Sequence, residues 1–138
     1  MITRFRFILL LHSFFACSAF ADDVRDATDL LCSVVETRVC FPVEGCVQLA
    51  PEELNVPHFI RIDTRARKLS TTPASGENRE SVADSLKRSD GHLILQGFEA
   101  GRAYSLLIHE TSGMATYAAA AEGRSVTTFG ACTPLTDN

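Results

Sequence analysis

From His58 onward, apolar and polar positions alternate with the two-residue period of a β-strand. In Phe59-Ile60-Arg61-Ile62-Asp63 the isoleucines fall on one face and Arg61 and Asp63 on the other. Arg65-Ala66-Arg67 turns the chain, and Lys68–Thr71 returns it. Thr72–Arg79 reads as a loop, and Ser81–Arg88 fits helix or strand equally. Beyond Asp90-Gly91, a strong turn signal, strands are expected over 92–98, 103–109, 114–121 and 125–131, with the four alanines of 114–121 also open to a helix. Turn glycines at 91, 101, 113 and 123 lie ten to twelve residues apart, the rhythm of an antiparallel meander.

The N-terminal third reads differently. Val24, Ala27, Leu30, Leu31 and Val34 follow a helical spacing, which predicts a short N-terminal helix running into an extended segment over Val34–Phe41. Pro51 opens one helical turn over Ala50–Leu54. The expected fold is mainly β, an antiparallel meander or small barrel with a short N-terminal helix. A sheet of this length either curls or packs on a second layer.

Met1–Arg6 carries two positive charges, Ile8–Phe15 is a short apolar stretch interrupted by His12, and Ala19-Phe20-Ala21 offers small residues at both positions a signal peptidase reads. This pattern predicts a signal peptide over 1–21, cleaved after Ala21, and a single disulfide-stabilised β-rich domain over 22–138. The apolar stretch is too short for a membrane span, so none is expected after processing. Lipidation at Cys17 is the alternative to its removal. The expected destination is the periplasm or the outside of the cell.

Processing changes two numbers. The whole chain of 138 residues has a net charge of −4; without Arg4 and Arg6 it falls to −6. An acidic chain with no basic block argues against nucleic acid as a partner. Of 5 cysteines, removing Cys17 leaves Cys32, Cys40, Cys46 and Cys132. An even number in an exported chain reads as two disulfides. Cys32–Cys40 would need a chain reversal in a stretch without Gly or Pro. The Phe41–Gly45 stretch between Cys40 and Cys46 has both. The expected pairing is Cys40–Cys46 with Cys32–Cys132; the alternative is Cys32–Cys46 with Cys40–Cys132. The cysteines lack the tight ligand pairs of zinc sites, and no cofactor is expected.

Candidate chemistry is sparse. The histidines after residue 21 are His58, His92 and His109. Ser105 and His109 stand about 13 Å apart along a strand, too far to pair, and the Gly-x-Ser-x-Gly of a nucleophile turn is missing. Arg61, Arg65 and Arg67 would share one strand face if the strand continued, a strip for an anion or a partner.

The Cys32/Cys40/Cys46 spacing, Val56–Asp63, Leu95-Gln96-Gly97, Gly101–Ser105 and Phe129–Cys132 together resemble a group of small exported bacterial proteins of unknown function. Ser112-Gly113 and Tyr117 give a looser likeness to the periplasmic inhibitors of c-type lysozyme, which are small disulfide-tied antiparallel barrels with a Ser-Gly inhibitory loop. Met114-Ala115-Thr116 departs from that loop's pattern. The expectation is an exported, non-catalytic protein that binds an unknown protein or small ligand in the cell envelope. Its alternatives are an inhibitor of a lysozyme-type hydrolase presenting Ser112-Gly113, and a hydrolase with a site assembled from distant residues.

Overall fold

The computed structural model describes residues 23–75 and 78–135, so the signal segment expected over 1–21, Cys17 included, lies outside the described residues. Ten strands follow in chain order: β1 (Asp29–Phe41), β2 (Gly45–Leu49), β3 (Phe59–Asp63), β4 (Lys68–Thr71), β5 (Glu80–Val82), β6 (Ser85–Ser89), β7 (His92–Glu99), β8 (Arg102–His109), β9 (Met114–Ala121) and β10 (Arg124–Pro134). Short 3-10 turns stand at Pro51–Leu54, where Pro51 opens the turn as expected, and at Pro73–Ser75. Asp90 and Gly91 both have positive φ, 51° and 74°, the backbone of a tight hairpin that joins β6 to β7.

The strand order is β5-β4-β3-β1-β10-β9-β8-β7-β6, with β2 pairing the far half of the same β1 edge that β3 occupies. β5 and β6 stand at opposite ends of this order, yet only Ala83 and Asp84 separate them in the chain. The sheet therefore curls, giving an antiparallel half-barrel. Hydrogen bonds tie its two ends at this corner. The Ala83 N–H donates to the Arg67 carbonyl at 2.8 Å. The Asp84 carbonyl accepts from Arg67 Nη1 at 2.9 Å, and its carboxylate accepts from the Phe98 N–H at 3.0 Å.

The short N-terminal helix is not formed. Residues 29–41 are a strand instead, and the described residues before them are irregular. The stretch that suggested a helix also satisfies a strand: Leu30 and Cys32, two residues apart, are buried on one face. The β-branched residues Val34, Val35, Thr37 and Val39 favour extended backbone, and β1 finds partners on both edges. A helix of this length would have to be stabilised by packing one face, whereas β1 pairs with three strands.

β1 contains a bulge. Its register against β10 shifts between Val34 and Glu36, leaving Val35 74% exposed. The extra residue re-phases the strand, so that Leu30, Cys32, Thr37 and Val39 all face inward. Gly130 lies opposite the bulge. A Cβ there would stand 2.1 Å from the Ser33 carbonyl oxygen, so only glycine fits.

The core gathers at one end of the half-barrel, around Leu30, Ile62, Leu93, Leu95 and Ile108. Val24 plugs this end. It is fully buried, and its N–H donates to the Glu110 carbonyl at 2.7 Å. The buried Glu110 carboxylate pairs with Arg88, which also donates to the Ala27 carbonyl at 3.3 Å. Cys32–Cys132 lies in the core and joins directly opposed residues of the neighbouring strands β1 and β10, and Cys40–Cys46 joins opposed residues of β1 and β2. Both pairings are the expected ones. Two disulfides are compatible with an oxidising, extracytoplasmic environment.

Candidate functional site

The inner face of the sheet reads as rows of opposed residues. Above Leu93-Ile108-Ala115-Gly130-Val34 comes Leu95-Leu106-Tyr117-Thr128-Thr37, and above that Gly97-Tyr104-Ala119-Val126-Val39. The last row, at the rim, is Glu99-Arg102 on β7 and β8, then Ala121-Arg124 on β9 and β10. The lowest row belongs to the packed end. Higher up, the alanines of β9 leave the middle of the half-barrel unfilled. A cavity of about 430 Å³ results, within the range of small-molecule sites. β3, β4, β5 and the 54–57 segment wall its other side.

Three features mark this cavity. Tyr104 and Tyr117, diagonal neighbours on β8 and β9, stack within it with ring centroids 5.7 Å apart and planes inclined by 25°. Burial pushes the Tyr117 phenol above the ordinary tyrosine range; the nearby Arg102 charge acts in the opposite direction, and Tyr104 and Glu99 push the same way as burial. Thr128 reaches the lining from β10, opposite Thr37 of β1. Both threonines are more than nine-tenths buried, and neither hydroxyl has a hydrogen-bond partner. A buried polar atom without a partner costs about 1–3 kcal/mol. The rim carries Arg79, Arg102 and Arg124 with Glu53, Glu80 and Glu99. Glu80 is taken up by Lys68 at 2.9 Å, and Glu53 accepts from the Ala50 N–H at 2.8 Å. Arg79 donates to the Asn55 carbonyl at 2.8 Å.

The partner-binding candidates of the sequence, Arg61, Arg65, Arg67, Ser112 and Gly113, lie elsewhere. β3 ends at Asp63, so its alternation does not carry on to Arg65 and Arg67. Arg61 pairs with Asp29 at 2.7 Å, Arg67 holds the Ala83-Asp84 corner, and Arg65 sits exposed in the intervening turn. Ser112 and Gly113 form the turn between β8 and β9, at the end opposite the rim. Ser112 Oγ lies 2.9 Å from His109 Nδ1, the Gly113 N–H donates to the His109 carbonyl at 2.8 Å, and the Gly113 carbonyl accepts from the Cys132 N–H at 2.7 Å. Tyr117, the third residue of that likeness, faces the cavity instead.

His92 and His109 are directly opposed and meet edge to face at 5.1 Å, away from the cavity lining. His58 pairs with Glu52 at 2.5 Å on the surface. The Glu52 carboxyl is held below its ordinary range, first by a backbone N–H bond and then by the His58 ring. Among the described residues, no cluster of three or more His, Cys, Asp or Glu is placed to hold a metal ion. Nor is any described helix long and apolar enough to cross a membrane.

Comparison with protein-family models, with curated proteins and with solved structures gives no match.

Sequence reasoning passed over Arg102, Tyr104, Ala119 and Arg124. A signal for them was present. Alternation along 114–121 puts Ala115, Tyr117, Ala119 and Ala121 on one face. An inward face so poor in large side chains leaves room inside a curled sheet.

Proposed function

We propose that the protein is an exported, non-catalytic binding protein whose half-barrel holds a small, largely apolar ligand. The observation that carries this reading is the cavity itself: about 430 Å³, with two stacked tyrosines in its lining. Side chains that fill their own interior would pack to near-crystalline density. The alanines of β9 leave that space open.

The chain offers its own probe. It has 2 tyrosines and no tryptophan, and both tyrosines line the cavity. Tyrosine emission therefore reports on the site alone. Titration with decanol, a neutral apolar alcohol, is expected to change that emission saturably. Ala119→Phe fills the space beside Tyr104 and Val126 and is expected to abolish the change while the chain stays folded by circular dichroism. A wild-type protein indifferent to decanol would overturn the proposal. So would a folded Ala119→Phe variant that responds as the wild type does.

A second reading rests on the Ser112-Gly113 turn. Its backbone bonds to His109 and Cys132 hold it beside the Cys32–Cys132 disulfide, which suits a rigid inhibitory loop. Undiminished lysis by a c-type lysozyme at large excess of this protein would remove that reading.

A further inference from the structure

We propose that the cavity takes an amphiphile with a hydrocarbon chain and an anionic head, the chain lying against Tyr104, Tyr117 and Ala119 and the head meeting Arg102 and Arg124. The inference rests on the binding reading above and adds the chemistry of the ligand.

The register supplies the geometry. Ala121 pairs with Arg124 on one side, and its neighbour Ala120 pairs with Ala103 on the other. Arg102 and Arg124 thus flank Ala121 at the rim on strands two apart, with Cα atoms about 10 Å from each other at ordinary strand spacing. The methyl group of Ala121 leaves the gap between them open. Both guanidinium-bearing residues belong to the lining, and neither makes an ion pair among the described residues. The influence of Arg102 on the Tyr117 phenol places its charge within electrostatic reach of the interior. Arginine forks suit carboxylate and phosphate oxygens.

The acidic residues of the rim leave this end able to receive an anion. Lys68 engages Glu80, and a backbone N–H engages Glu53. Glu99 stands beside Arg102 on the side away from Arg124. Deeper in, the lining from Ala121 to Ala115 extends about 20 Å along β9, the shape of a single chain.

Four decyl probes that share a chain and differ in the head test the assignment: decanoate, decyl phosphate, decanol and decyltrimethylammonium, the three ionic probes followed by tyrosine emission below their micelle concentrations and decanol below its solubility limit. The anionic heads are expected to bind on the order of tenfold more tightly than decanol, and the cationic head more weakly than decanol. Tighter binding of decanoate than of decyl phosphate points to free fatty acids as the source, and the reverse order to lipid phosphates. The double variant Arg102→Gln, Arg124→Gln is expected to lose the anion preference while keeping its affinity for decanol. Equal binding of all four probes, or a preference that survives in the double variant, overturns the anionic assignment and leaves the apolar cavity standing. Failure of every probe overturns both.

Discussion

The Tyr104 ring occupies the space that a side chain on Gly97, its directly opposed partner on β7, would need. A Cβ at Gly97 would stand 2.6 Å from the phenol oxygen and 2.7–2.9 Å from two ring carbons. Glycine at this point lets the ring lie over the neighbouring strand and stack on Tyr117. Gly97→Ala should push Tyr104 out of this position at a cost of about 1–3 kcal/mol. The matching signature is altered tyrosine emission in a protein that still folds. Unchanged emission and unchanged stability would show that the ring does not depend on the glycine.

Thr37 and Thr128 face each other with two buried hydroxyls and no partner for either. Thr37→Val keeps the shape and removes a polar atom, so it should stabilise the free protein by about 1 kcal/mol. Thermal melting should rise by a few degrees. Thr128→Val should stabilise similarly in the absence of ligand. A fall in melting temperature for both would mean that the hydroxyls are satisfied in solution.

The two disulfides should contribute unequally. Cys32–Cys132 spans 100 residues and Cys40–Cys46 spans 6. Loop-closure entropy gives about 4–5 kcal/mol for the first and roughly 2 kcal/mol for the second. Denaturant unfolding of the two Cys→Ala double variants should separate them by roughly 2 kcal/mol, with the end-to-end bridge the costlier loss. Equal losses would assign the stabilisation to native contacts instead of chain entropy.

Tyr117 should ionise late. Burial raises its pKa in the folded protein above the ordinary tyrosine range. Folding therefore favours the protonated phenol. The associated stability is complete below the unfolded tyrosine pKa and is lost as the pH rises through the higher folded value. In Tyr104→Phe, Tyr117 is the one tyrosine left, and its ultraviolet absorbance titration should lie above that of the unfolded chain. Arg102→Gln should move it further up, because the Arg102 charge lowers it. A titration that coincides with the unfolded chain's would contradict a buried phenol.

Most of the sheet was legible because its signals are local. The Asp90-Gly91 turn, the glycine rhythm and the alternation of β3 and β7–β10 need no distant partner to be read. The disulfide pairing followed from the turn residues between Cys40 and Cys46. Two features were hidden because they depend on contacts far apart in sequence. β1 shows a helical spacing, but β2, β3 and β10 together make it a strand, and its bulge appears only against Gly130. The cavity is a property of curvature: Arg102, Ala119 and Arg124 become neighbours only when β8, β9 and β10 are laid in register. The arginines that looked like a strip, Arg61 and Arg67, are tied to Asp29 and to the Ala83-Asp84 corner.

The most direct test of the binding cavity is the set of intermolecular nuclear Overhauser effects between decanol methylene protons and the isotope-labelled protein. Contacts to the Tyr104 and Tyr117 rings and to the Ala119 methyl are the predicted result. Contacts confined to outward-facing residues such as Phe129 and Met114, or none at saturating decanol, would contradict it.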